Sequence, residues 1–163
     1  MAVFSRESRV DAPLDEVWEF HSRVEGLVDL TPAFLNLRVE EVRGDHDGEL
    51  TVGTEIRVSA QPFGVGPRQT WTSRIVERRR EEGRALFRDE MVEGPMRKWE
   101  HTHEFVADGD VTLLRDRVEY RAPGSFVGST LTWPGLAVGF RYRHRRTREL
   151  LGQRPGRVVD RTK

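Results

Sequence analysis

The chain reads as an α+β protein: a curved antiparallel sheet of about seven strands wrapped on a long C-terminal helix, with two short helices after the first strand. Three observations predict it. A helix-start pattern, "DAPLDEVWEF", follows a single N-terminal strand. Beyond Pro32 the apolar period becomes two and stays two as far as Pro123, broken only by short clusters of turn residues. The chain then closes on an amphipathic stretch ending at Leu151. A lone antiparallel sheet must bury one face, and the final helix is the one long element able to cover it. A chain of 163 residues suits one domain around one core, which we place at 1–152, followed by a basic tail at 153–163.

Each element has its own reason. Val3–Val10 alternates as a strand. Asp11 stands where a cap belongs, Pro13 suits a first turn, and Asp15 and Glu16 are acidic where the helix dipole favours it. Leu14, Val17, Trp18 and Phe20 make the apolar stripe of a helix running to about Gly26, and a second short helix carries Leu27 and Leu30. "FLNLRVEEV", "TEIRVSAQ", "RQTWTSRIVERR", "RALFRDEMV", "MRKWEHTHEFV" and "VTLLRDRVEYRAP" then read as strands. Between them stand "GDHDGEL", "PFGVGP", "EEG", "EGP" and "ADGD", each a turn or loop signal. The stretch "GSFVGSTLTWPG" is expected to be a loop. The last helix is expected from about Leu136 to Leu151, with Leu136, Phe140, Thr147, Leu150 and Leu151 on its apolar side.

Composition excludes several functions. There is no cysteine, so disulfides and thiolate chemistry are out. No run approaches the ~18 apolar residues of a membrane span, and "MAVFSRESRV" lacks the apolar core of a secretory signal. We therefore expect a cytoplasmic protein without stable membrane insertion. Net charge is zero but uneven: from Phe140 to Lys163 nine basic residues stand against two acidic ones. Such a run can serve a nucleic acid, an anionic lipid or another partner, or it can be the solvated face of a helix end. No aromatic residue follows Tyr142 to stack on bases, and we expect no nucleic-acid partner. No oligomeric partner is legible.

The stretch Lys98–Phe105 concentrates the chemistry. On a strand, Trp99, His101, His103 and Phe105 share one face, and Lys98, Glu100, Thr102 and Glu104 share the other. On the next strand Asp116 shares a face with Leu114, Val118 and Tyr120, while Arg115, Arg117 and Glu119 face out. The hairpin at "ADGD" brings His101 or His103 near Asp116. A buried carboxylate needs a partner, and a buried imidazole keeps its proton only beside a negative charge. The His–Asp group answers both needs, as a structural or ligand-orienting hydrogen bond or as acid–base equipment. Metal is the weakest reading: two histidines on one face need a third protein ligand, and the neighbouring strand offers Asp116. Asp89 shares a face with Phe87 and Met91, either as a second polar pocket group or at an edge. His21, His46 and His144 are expected on surfaces. No nucleophile elbow, phosphate loop or calcium loop is present, and neither Lys98 nor Lys163 suits a Schiff base, so no cofactor or metal is expected.

The strings "APLDEVWEFH", "WTSRIVE", "LFRDEMVEGPMRKWEHTHEF", "VTLLRDRVEYRAPGSFVG" and "FRYRHRRTREL" resemble the START/birch-pollen-allergen (SRPBCC) superfamily, in its cyclase/dehydrase-like subgroup. The resemblance implies a helix-grip fold with an elongated cavity between sheet and last helix. It also implies binding of apolar or aromatic molecules there: lipids, polyketides or isoprenoid-like compounds. Some members cyclise or dehydrate polyketides. The residues expected to bind ligand are Trp71, Trp99, His101, His103, Phe105, Asp116, Tyr120 and Phe140; those expected to be catalytic, in a cyclase or dehydratase, are His101, His103 and Asp116.

Overall fold

The computed structural model of the chain describes residues 1–44 and 47–152; the expected basic tail at 153–163 and His46 lie outside them. Strand β1 (Ala2–Val10) is followed by helices α1 (Leu14–His21) and α2 (Val24–Asp29). Six strands come next: β2 (Arg38–Arg43), β3 (Glu55–Ala60), β4 (Gln69–Glu81), β5 (Arg84–Glu93), β6 (Lys98–Asp108) and β7 (Val111–Arg121). Helix α3 (Ser125–Leu151) ends the fold. All seven strands form one antiparallel sheet in the order β1-β7-β6-β5-β4-β3-β2. Register shifts in β4, at Thr72/Ser73 and Ile75/Glu77, are bulges of the kind that bend a strand. This is the helix-grip architecture read from the sequence.

Period-two alternation decides what each face carries. The inner face holds Ile56, Val58, Ile75, Phe87, Phe105, Leu114 and Val118, all buried. The outer face carries cross-strand ion pairs, among them Arg74–Glu55, Arg88–Glu100, and Arg115 with both Glu7 and Glu104. Glu104 faces outward as expected, yet Arg84 and Arg115 cover it almost completely. Buried apolar residues form two clusters. One joins Leu14, Val17 and Trp18 of α1 to the middle of the sheet; the other joins Phe4, Val118, Tyr120 and Phe140 beneath α3.

Four local expectations need correction. The first helix, expected to run to about Gly26, ends at His21, and Gly26 lies within α2. The stretch read as the loop "GSFVGSTLTWPG" is helical, since α3 starts at Ser125 and carries Pro134 inside it. Leu150 is exposed rather than on the buried side. The second strand begins at Arg38, not at Phe34: Ala33–Leu35 makes a short turn that Asn36 ends with a left-handed φ of 47°. Asn takes that conformation more readily than most residues.

Candidate functional site

A cavity of about 560 Å³ lies between the inner face of β3–β6 and helices α2 and α3. Most of its wall is apolar: Leu27 and Leu30 from α2, Val58 and Trp71 from the sheet, Leu136 and Phe140 from α3. On α3, Gly135 and Gly139 also line it, and a Cβ at either would meet nothing within 4 Å. Two glycines one helical turn apart thus widen the space under the helix.

One region of the wall is polar, and strand pairing builds it. Asp89 of β5 pairs directly with His101 of β6, and His103 pairs directly with Asp116 of β7. Alternation turns all four side chains inward. His101 donates its Nε2–H to Asp116 Oδ1 at 2.7 Å, and its Nδ1 lies 3.7 Å from Asp89 Oδ1. His103 Nε2 lies 3.3 Å from Asp89 Oδ1. Its Nδ1 lies 2.9 Å from Asp116 Oδ1, off the direction of a formed hydrogen bond. The two rings stand 3.7 Å apart, and Phe87 stacks on His103 at 4.0 Å.

Behind this pair the network runs into α3. His144 donates Nε2–H to Asp116 Oδ2 at 2.7 Å, and Ser8 Oγ donates to its Nδ1 at 2.7 Å. Ser8, His144 and Asp116 copy the order of a serine-hydrolase triad, but Ser8 is off the cavity wall and His144 is fully buried, so they act as a brace. Burial pushes the Asp116 carboxyl up, but its contacts with His101, His103 and His144 outweigh that and hold it well below the usual carboxylate range. Burial, reinforced by His103, lowers the pKa of His101 despite its bond to Asp116. On the same wall, His21 donates Nδ1–H to Val17 O at 2.8 Å, and its Nε2 has no partner. Burial, and then the Arg143 charge, lower its pKa to about 3. Arg143 also lines the cavity, with its Nε unpartnered.

Of the eight residues expected to bind ligand, Trp71, Trp99, His101, His103 and Phe140 line the cavity. Phe105, Asp116 and Tyr120 stand behind the wall. Phe105 is packed by Trp18, His21 and Phe87. Asp116 sits beneath the two imidazoles. Tyr120 is fully buried under α3, giving its O–H to Ser129 O at 2.9 Å. The reason is sheet order: β7 lies next to β1, where α3 packs, so its inner face is roofed by helix. The expectation that His21 and His144 lie on surfaces is overturned, for both are buried. Helical spacing carried the signal: His144 is four residues after Phe140 and three before Thr147, and His21 is four after Val17. Asp116 lies against both histidines from behind the wall, and the carboxylate that faces the cavity with them is Asp89, from the strand on the other side of β6. The ligand atoms of Asp89, His101 and His103 lie within 4.8 Å of one another.

A family model described as polyketide cyclase / dehydrase and lipid transport matches residues 10–147. Similar solved structures include protein CV1439 from Chromobacterium violaceum, with TM-score 0.70 and 14% identity, over 93% of this chain and 98% of that one. Norcoclaurine synthase from Thalictrum flavum superposes with TM-score 0.66 at 21% identity, over 94% of this chain and 87% of that one. The di-domain ARO/CYC BexL from the BE-7585A biosynthetic pathway gives TM-score 0.62 at 22% identity, over 91% of this chain and 46% of that one. At such identities the likeness is one of fold. Among curated proteins none matches significantly.

Proposed function

The chain belongs to the polyketide cyclase/dehydrase and lipid transport family, and on that premise we propose that it binds an apolar or aromatic small molecule, of lipid, polyketide or isoprenoid-like class, between sheet and last helix. The observation that carries this reading is the apolar cavity with one polar region on its wall, the usual anatomy of a small-molecule site. Its volume of about 560 Å³ suits a molecule of drug-like size. Burying about 300 Å² of ligand surface at roughly 25 cal/mol/Å² supplies about 7 kcal/mol before entropy losses. The His101–His103 pair and Arg143 give the ligand a polar end to meet. Among the described residues no helix is long and apolar enough to cross a membrane.

A second reading makes the same wall catalytic, as a polyketide cyclase or dehydratase. It is favoured by two imidazoles that line the cavity while Asp116 orients them from behind. Fold neighbours include a plant synthase and an ARO/CYC protein, which keeps this chemistry in view.

The experiment is native mass spectrometry of the purified chain, with extraction and identification of what it carries, repeated on Gly139→Phe. A phenyl ring at that position enters the cavity. Retention of a defined apolar compound by the parent, and its loss in a folded Gly139→Phe, is the expected result. No bound compound, and no saturable uptake of fatty-acid or aromatic polyketide probes, would sink the reading. To separate the two readings, His101→Gln and His103→Gln are assayed for binding and turnover: loss of turnover with affinity kept within a few-fold supports catalysis, and equal loss supports orientation.

A further inference from the structure

The polar region of the cavity wall holds a contradiction that a hydrogen-bond network alone does not resolve. A neutral imidazole has one N–H. His101 gives its proton to Asp116, which leaves Nδ1 with a bare lone pair 3.7 Å from the carboxylate oxygen of Asp89. His103 stands between the same two carboxylates, with Nδ1 2.9 Å from Asp116 and Nε2 3.3 Å from Asp89. Whichever tautomer it takes, one nitrogen turns a lone pair toward an anionic oxygen. In this structure the hydrogen bond of His103 is the one from Nε2 to Asp89, with Nδ1 unpartnered 2.9 Å from Asp116; were the ring to give its N–H to Asp116 instead, three electron pairs would converge: His101 Nδ1, His103 Nε2 and Asp89 Oδ1. The cluster is short of one cation.

From this we infer that Asp89, His101 and His103 form a binding site for a divalent first-row transition-metal ion, open toward the apolar cavity. Two of the three ligand separations match. With bonds of about 2.0–2.2 Å, two ligands on one tetrahedral or octahedral ion stand about 3–3.5 Å apart, close to the 3.3 and 3.7 Å separating Asp89 from the two imidazoles, and all three ligand atoms lie within 4.8 Å of one another. Two histidines and one carboxylate form a three-point ligand set that leaves coordination positions for water or a ligand oxygen. The support behind the ligands fits as well. A metal-bound histidine commonly gives its other N–H to a carboxylate, and Asp116 lies against that other nitrogen of both rings. His144 and Ser8 hold Asp116 in turn. The imidazole–carboxylate choice favours zinc or iron over calcium or magnesium, which prefer all-oxygen shells. The inference stands apart from the identity of any organic ligand, because the metal itself is the probe.

The test is a cobalt(II) titration of the full chain after chelator treatment, followed by visible spectroscopy and by competition with zinc(II). One cobalt ion per chain, with the intense d–d bands of four- or five-coordination and bleaching by zinc, is the expected result. Asp89→Asn, which removes a charged ligand, should weaken cobalt binding by more than the ~10–100-fold typical of losing an outer-shell partner, with unchanged far-UV circular dichroism. His21→Leu, which removes the other imidazole of the wall, should keep the bands. No bands in the parent would overturn the inference. Cobalt affinity left unchanged in Asp89→Asn, or bands that vanish in a folded His21→Leu, would overturn it too. Loss of the organic ligand with cobalt binding intact would count against the proposed function alone.

Discussion

Replacing His21 with Leu should remove a defined part of the acid sensitivity of the protein. The imidazole is buried at the end of α1, with Arg143, His103 and Asp116 as its charged or titratable neighbours. Its pKa falls from 6.5 to about 3, chiefly through burial and then through Arg143. The folded pKa is below the unfolded one, so the unfolded chain takes up this proton first as pH falls. Stability is therefore intact above pH 6.5 and declines below it, at up to about 1.4 kcal/mol per pH unit, until the folded pKa is reached. Between pH 7 and pH 5 the loss owed to His21 comes to about 2 kcal/mol. For a chain of this size that corresponds to roughly 4–8 °C in Tm. Urea denaturation of parent and His21→Leu at both pH values, compared at equal m, reads the difference directly. His101, also lowered by burial, contributes its own slope to both proteins and drops out of the comparison. If His21→Leu loses as much stability as the parent over that interval, His21 titrates normally and the burial argument fails.

Other perturbations have equally direct expectations. Asp116→Asn leaves three imidazoles without their carboxylate and should cost about 3–5 kcal/mol in chemical denaturation. Tyr120→Phe removes the bond to Ser129 O that ties β7 to α3, for a loss of about 1 kcal/mol in the same assay. The α3 glycines should divide. A Cβ on Gly128 would fall 1.8 Å from Pro123 O, so Gly128→Ala should destabilise by about 1–3 kcal/mol. Gly139 has open space around it, so Gly139→Ala should stabilise by about 0.5–1 kcal/mol through helix propensity. Differential scanning calorimetry distinguishes the two signs.

Strand parity was the most legible part of this chain. On β6, charged or polar residues alternate with rings, which is enough to turn His101 and His103 inward together; on β7 the same rule turns Asp116 inward. What parity does not reveal is lateral order. It gives a face, but whether that face meets cavity or helix depends on which helix roofs it, and so Asp116 and Tyr120 on β7 fall behind the wall under α3, and Phe105 on β6 under α1. Asp89 was visible as an inward carboxylate; its pairing with His101 rests on the register of β5 against β6, which the Gly–Pro turn between them makes hard to count. His144 was hidden by its neighbours. Arginines on both sides make "RYRHRR" look solvated, and the i, i+4, i+7 spacing from Phe140 is easily passed over in so basic a run. The first turns of α3 were obscured by Gly124, Gly128 and Pro134, residues that usually mark loops.

The place of β1 at the edge beside β7 governs how the molecule comes together. Every other neighbouring pair in the sheet is joined by consecutive chain, whereas β1 waits for the last strand. Its closure spans about a hundred residues, as in the bond from Thr112 to Ala12 O. Such a contact is slow to form, because the entropy of closing the loop comes before any gain from pairing. On the ribosome, β1 is made first and stays a solitary edge until β7 emerges. Arg6, Glu7 and Arg9 keep that unpaired segment charged during the wait, which discourages it from joining another chain.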